Sequence, residues 1–374
     1  MNDESKTKIK KEIEKEVEKE IDDIWGKELE LFQTKIDNAH KELDKKFEKF
    51  TKEISEKIKK IKIEQFIPNG KDYNLNLEYI DNTNYLINPI LICLCNIDLF
   101  IYLCLENWSI NVIKDLNDKE DILFSGFTNL ISKIYLRKKH NYRDPFEIHK
   151  QLKIEMKNDF YTNDPGVIIN FILKKLHNEL NPFKQYSEDK FDDKKGFTDI
   201  ITNNKTKISE EFFNILYFRE ECYECNSVKN YYQQIPIFDL YIDNDSALEN
   251  AIINFKSVCK QCKKRTKNTI ISLTSNILII NINRKDDIIN SKNIIYKLKL
   301  DLFNQKYELI SVIRKDYFIN DKVIIYDPEN ISVFCKNCYD NRWYSYNDEN
   351  KKLIENENEI IDGKKVLLLI YKKI

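Results

Sequence analysis

An α+β fold is what this sequence predicts, and three observations carry the expectation. Apolar residues at helical spacing dominate the first half of the chain. Short β-branched and aromatic runs, divided by polar turns, fill the part after Cys262. Between them stand two cysteine pairs, Cys222-x2-Cys225 and Cys259-x2-Cys262, with 33 residues separating the pairs. Each pair sets two thiolates on one tight turn, and two such turns complete the tetrahedral sulfur shell that structural Zn2+ prefers. Four cysteines leave no water-bearing coordination position, so the expected metal is a staple and not a catalyst.

The elements come in order along the chain. Residues 1–66 form one charged block with 17 Lys and 18 Asp/Glu. Within it Ile36, Leu43, Phe47, Phe50, Ile54, Ile58 and Ile61 recur at three, four or seven residues. Ile9, Ile13, Val17 and Ile21 make a second stripe, and Gly26 weakens the join between the two. A long helix or helical hairpin over 1–67 is therefore expected. It serves either as a solvated helix or as a coiled-coil arm that binds a protein partner. Pro68-Asn69-Gly70 ends the block. Residues 82–105 read as one helix and 165–181 as another, while the polar segment 183–210 reads as a loop. Strands are expected over 270–273, 277–282, 307–313, 322–326, 331–336, 343–346 and 366–371.

Composition limits the function classes. A chain of 374 residues, 42% hydrophobic, can bury a large core, and its net charge of −1 calls for no polyanionic partner. Lys256, Lys260, Lys263, Lys264 and Arg265 crowd the second cysteine pair. No aromatic stacking surface accompanies them, so a solvated basic turn is favoured over a nucleic-acid contact. The first residues lack a signal-peptide core, and no uncharged run approaches the roughly 20 residues of a membrane span. Nine cysteines, an odd number gathered in CxxC pairs, fit a reducing compartment. A location in cytoplasm or nucleus, with no membrane partner, is the expectation.

Several stretches match one family's motifs in the right order. Asp164 through Glu179 fits a "DAxEFLxxLLxxLHxE" helix without a gap and keeps Asp164, Leu173, Leu176, His177 and Glu179. Asn276–Arg284 fits a "PxxLxxxxxRF" strand, and Tyr307–Ile313 fits "YxLxAVI". Residues 329–337 and 340–348 look like "GHYxAYxK…W..F[ND]D", and Val366–Tyr371 looks like the closing strand. On these residues, over about 74–374, the chain resembles the ubiquitin-specific protease family of deubiquitinases. The resemblance implies a papain-like fold with a helical thumb (73–181), zinc-ribbon fingers (211–283) and an antiparallel β palm (284–374). It also implies ubiquitin, or a ubiquitinated protein, as partner.

The family's chemistry uses a Cys thiolate opening the first helix, a His from the late strands that takes its proton, and an Asp or Asn that orients the His. An Asn shortly before the Cys stabilises the oxyanion. Against the family's "GLxNLGNTCYxNSxLQ", residues 76–91 keep Asn82-Thr83 and place Asn84 at the nucleophile; aligned from the right, Tyr85 takes that position. Tyr79 replaces the oxyanion Asn, Asn330 fills the His position and Asn347 keeps the third. The only histidines are His40, His140, His149 and His177, so residues 178–374 hold no imidazole. Cys93 and Cys95 lie too far along the first helix to substitute, and read as buried. Cys335 and Cys338 read as strand thiols and not as a second metal site.

The resemblance thus implies a catalytically inactive, pseudo-deubiquitinase scaffold with a structural zinc held by Cys222, Cys225, Cys259 and Cys262. Two alternatives stand beside it. One is a divergent active cysteine-type deubiquitinase, and the other a zinc-ribbon scaffold in an RNA-processing complex.

Overall fold

The computed structural model describes residues 77, 84–111, 122–136, 145–181, 197–198, 202, 205–241, 246–258, 262, 265–283, 293–315, 318–320, 323–325, 331–347, 350–363 and 365–374. Contacts divide the chain into Met1–Pro68 and Asn69–Ile374. The arm expected over 1–67 lies outside the described residues, and every described element belongs to the second unit.

Helices come first. They are α1 (Ile87–Cys95), α2 (Asp98–Asn111), α3 (Ile122–Leu136), α4 (Phe146–Met156) with a 3-10 turn at Lys157–Tyr161, α5 (Pro165–Leu180) and α6 (Lys207–Phe212). Helix α1 is apolar except at Asn88, which places it inside the core, and Pro89 falls in its first turn where its missing N–H costs nothing. The single helix expected over 82–105 is instead two, bent by 83° after α1. The break falls at Asn96, whose Nδ2 donates to Lys336 O at 2.7 Å. A side chain recruited by the sheet, and not a glycine or proline, marks the turn. Among the described residues no single helix is long and apolar enough to cross a membrane.

The segment 183–210, read as a loop, is helical from Lys207 onward. Thr206 and Ser209 cap that helix reciprocally, an arrangement that the usual Glu/Gln version of the motif does not reveal. Phe197, also within it, is buried and packs on Tyr232, which stacks on Tyr217.

Strands come next. β1 (Asn214–Glu221), β2 (Val228–Ile235), β3 (Phe238–Tyr241), β4 (Ser246–Ala247), helix α7 (Leu248–Ile253), β5 (Asn254–Val258), β6 (Arg265–Thr274) and β7 (Ile277–Asn283) precede the late meander. That meander comprises β8 (Ile294–Ile295), β9 (Lys299–Leu302), β10 (Gln305–Lys315), β11 (Phe318–Asn320), β12 (Val323–Ile325), β13 (Ile331–Lys336), β14 (Trp343–Asn347), β15 (Asn350–Leu353) and β16 (Val366–Lys373). Seven strands run β15-β14-β13-β10-β16-β7-β3 across a large sheet, and β9 pairs with β10 beside them. A separate four-stranded sheet runs β2-β1-β6-β5. Strands β3 and β7 fall in the segment assigned to fingers by sequence, yet they belong to the large sheet.

The large sheet is buried on both faces at its centre. Ile277, Ile279, Ile313, Val333, Leu368 and Ile370 join the helical core, while Leu278, Ile280, Val312, Phe334, Leu369 and Tyr371 join a second cluster with Leu248, Ile252 and Tyr296. The period-2 alternation of strand side chains turns one apolar run into two core faces. Helix α5 reaches this sheet through Asp164, which caps the helix by accepting from Gly166 N at 2.8 Å. Asp164 also accepts from Asn281 Nδ2 at 2.9 Å, and the same amide donates to Asp239 at 2.8 Å. At the other end, Glu179 accepts from Phe124 N at 2.8 Å and so caps α3.

A β-carbon on Gly166 would lie 2.3 Å from Asn281 Nδ2 and 2.8 Å from its Cβ. Gly166→Ala is expected to lower stability by about 1–3 kcal/mol through overpacking. Urea unfolding measures this, and an unchanged midpoint would show that α5 does not approach β7 so closely.

Candidate functional site

The start of α1 is where the family motif places its nucleophile. Asn84 stands two residues before the helix N-cap and is 5% exposed. Its Oδ1 accepts from Leu86 N at 2.8 Å, and its Nδ2 donates to Phe160 O at 2.6 Å and Thr162 O at 2.7 Å. The next side chain, Tyr85, is half-buried and its hydroxyl meets Asn163 Oδ1 at 2.8 Å. Neither register of the motif therefore puts a thiol here, and the outward-reaching side chain is that of Tyr85. Tyr79 and Asn330 lie outside the described residues. Asn347 closes β14 opposite Asn350, with its side chain outside the described set.

The thiols of α1 lie deep in the core. Cys93 and Cys95 are buried, and burial raises both well above the usual thiol range. Cys93 lies against Cys335 of β13, and Ser311 Oγ donates to Cys335 Sγ at 3.3 Å. Cys338, in the turn after β13, is pushed up to about 12 by burial and by the nearby Asp98 carboxylate. Cys93, Cys95 and Cys338 are protonated packing groups at neutral pH, and the Lys372 cation near Cys338 does not offset its burial.

The two described histidines are also structural. His149 of α4 is buried, and its Nε2 meets Asn88 Oδ1 of α1 at 2.8 Å. His177 of α5 meets Thr206 Oγ1 at 2.7 Å through Nδ1 and lies against Phe213. Burial lowers each to about 4, so both are neutral imidazoles at pH 7. His40 and His140 lie outside the described residues.

A second site is built at one end of the four-stranded sheet. Cys222 and Cys225 form the tip of the β1–β2 hairpin, where Cys222 N donates to Ser227 O at 2.9 Å and Asn226 takes a φ of 53°. Cys262 lies in the tip of the β5–β6 hairpin, and the pairing of Glu221 with Lys267 brings the two tips side by side. The sulfurs of Cys222, Cys225 and Cys262 all lie within 4.8 Å of one another, with Cys222 and Cys262 at 3.4 Å. Metal–sulfur bonds of about 2.3 Å in a tetrahedron require sulfurs about 3.8 Å apart. The three thiols fit that spacing and could hold a metal ion. Cys259, the fourth expected ligand, lies outside the described residues, next to Val258, which pairs with Arg265 across the same hairpin.

Sequence reasoning missed the partners of Asn84. They are backbone carbonyls some 76–78 residues away, and no side-chain pattern announces a carbonyl acceptor.

The family model described as ubiquitin carboxyl-terminal hydrolase matches residues 76–371. Among curated proteins no sequence matches the chain. Among solved structures, the chain is similar to a SAGA DUB module of Ubp8, Sgf11, Sus1 and Sgf73 bound to monoubiquitin. The TM-score is 0.61 at 15% identity, over 86% of this chain and 74% of that one. It is similar to such a module bound to ubiquitin aldehyde, with TM-score 0.58 at 15% identity over 83% and 72%. A yeast SAGA DUB module gives 0.58 at 16% identity, over 83% and 72%.

The buried imidazoles give a testable pH dependence. Their folded values lie below the unfolded value of about 6.5, so the unfolded chain binds more protons as pH falls. Stability is full above about pH 6.5 and declines toward pH 4. His149 alone is expected to remove about 2 kcal/mol between about pH 7.5 and about pH 5, with His177 adding in the same direction. Guanidinium unfolding at the two pH values measures it, and His149→Gln should flatten the difference. An equal slope in the variant would refute the assignment.

Proposed function

The chain belongs to the ubiquitin carboxyl-terminal hydrolase family, and on that premise we infer that it is a non-hydrolytic member: a pseudo-deubiquitinase that binds ubiquitin, or a ubiquitin-bearing protein, without cutting it. The observation that carries this reading is the carboxamide at the start of α1. Asn84 is buried and its amide is committed to the chain's own backbone. An amide is neither a nucleophile nor a general base near neutral pH. Residues 178–374 lack any imidazole to serve the late strands, as Asn330 in the family's His position illustrates. In a comparable serine triad, losing one such group already costs roughly 10^6 in rate, and losing the second adds little.

The rest of the molecule supports a scaffold. Two of the similar solved modules hold ubiquitin or ubiquitin aldehyde together with other protein subunits, which favours ubiquitin and protein-partner binding in general. In this reading 1–67 is a coiled-coil arm that recruits a protein partner, and 73–374 is the ubiquitin-facing domain in cytoplasm or nucleus. Zn2+ is the metal of the fingers, since soft thiolates at tetrahedral spacing suit it. Cys222, Cys225, Cys259 and Cys262 would hold it. Its chemistry there is closure of two hairpins, with no coordination position left for substrate.

Two experiments test this reading. Titration calorimetry with mono-ubiquitin is expected to give measurable binding, while a ubiquitin C-terminal electrophile labels no cysteine at neutral pH. Covalent labelling would establish the divergent active enzyme instead. Elemental analysis is expected to find one zinc per chain. Cys262→Ser should lose the metal and with it finger-sheet stability on the order of 10 kcal/mol. A folded, metal-free wild-type protein would remove zinc from the account.

A further inference from the structure

We propose that Asn84 is a clasp that fixes the turn Lys157–Asn163 against the start of α1 and fills the nucleophile's place with the chain's own carbonyl oxygens. This rests on the family register that puts Asn84 at that position. The geometry around the side chain is complete. Two amide hydrogens meet two carbonyls, Phe160 O at 2.6 Å and Thr162 O at 2.7 Å, and the amide oxygen takes Leu86 N at 2.8 Å. One residue on, Tyr85 reaches the same turn through Asn163 Oδ1.

The turn has reason to need holding. Lys157, where α4 passes into it, takes φ 53° and ψ −116°, a conformation costly for any residue with a β-carbon. The described bonds within the turn are short-range, such as Thr162 N to Asp159 O at 3.2 Å and Asp164 N to Thr162 Oγ1 at 3.2 Å. Asn84 supplies two long-range hydrogen bonds to it, beside the Tyr85–Asn163 bond and the buried Phe160 ring.

The site's polarity is set by the same bonds. A thiolate nucleophile needs donors or positive charge around it. The nitrogen end of the residue 84 side chain faces two acceptors instead. A thiolate there would be repelled by both, and a carboxylate likewise. Only a side chain with two hydrogens to give and one oxygen to offer satisfies all three partners, which is the inventory of a carboxamide. The position is therefore not a vacant catalytic slot that any residue could occupy.

The test is a series at residue 84, read by thermal unfolding and by amide hydrogen exchange across 157–163. Asn84→Asp, nearly isosteric but without donors, is expected to lower the melting temperature more than Asn84→Ala. Should Asn84→Asp fail to fold, Asn84→Ser keeps one donor and is expected to speed exchange in 157–163 about tenfold, for a loss near 1.4 kcal/mol, while the strands of the finger sheet exchange as before. Asn84→Cys is expected to stay unlabelled by the ubiquitin electrophile. Variants as stable as wild type with unchanged exchange would overturn the clasp, as would labelling at a Cys introduced at 84. Labelling of the unmodified chain would instead sink the non-hydrolytic reading, so the two failures are distinguishable.

Discussion

The centre of the large sheet is apolar on both sides, and the described helices packed on it are placed by having to cover both. Strands β7, β10 and β16 send alternate side chains into a helical core and into a second cluster under Tyr296 and α7. Burying one such Leu or Ile is worth about 1.5–3 kcal/mol, so leaving either face open would remove much of a marginal total stability. The helices are held to their face by polar contacts at chosen points. Asn96 donates to Lys336 O beyond α1, and Asp164 takes Asn281 of β7 at the start of α5. With α1 and α5 pinned to one sheet, the ground between their first turns is fixed, and that ground is the candidate site.

How much could be read from the sequence depends on the range of the forces involved. Central strands were legible because continuous apolar runs such as Ile277–Ile282 and Val366–Tyr371 have few other uses, and the structure places them in β7 and β16. Helix α5 was legible from the spacing of Ile168, Phe171, Ile172 and Leu176. The bend between α1 and α2 was not, because the residues on either side are uniformly apolar and Asn96 finds its partner 240 positions away. The finger strand β2 was harder still, since it is largely exposed and only Tyr231 in it is buried. At the site, only residue types could be read from the sequence. Burial of Asn84 could not, for a single Asn in an Asn-rich chain carries no mark of what it binds.

The helix match over 164–179 gains a physical meaning from these contacts. Asp164 caps α5 and takes the Asn281 amide, His177 ties α5 to the Thr206 cap of α6, and Glu179 caps α3. Each joins two elements, and none meets a reacting group. The matched motif therefore encodes how the thumb is bolted together. A chain can keep all of it while its nucleophile position carries a carboxamide, because none of those bonds passes through residue 84.

The cysteine cluster that could hold a metal is independent of the start of α1 for a similar reason. Strands β2 and β5 are the outer members of the four-stranded sheet, and each is joined to its inner neighbour by a cysteine-bearing tip. A two-stranded hairpin by itself is only marginally stable. Linking the tips through a shared ion closes both hairpins at once, and that requirement is set by the sheet alone. Whether a thiol or an amide opens α1 changes nothing in it.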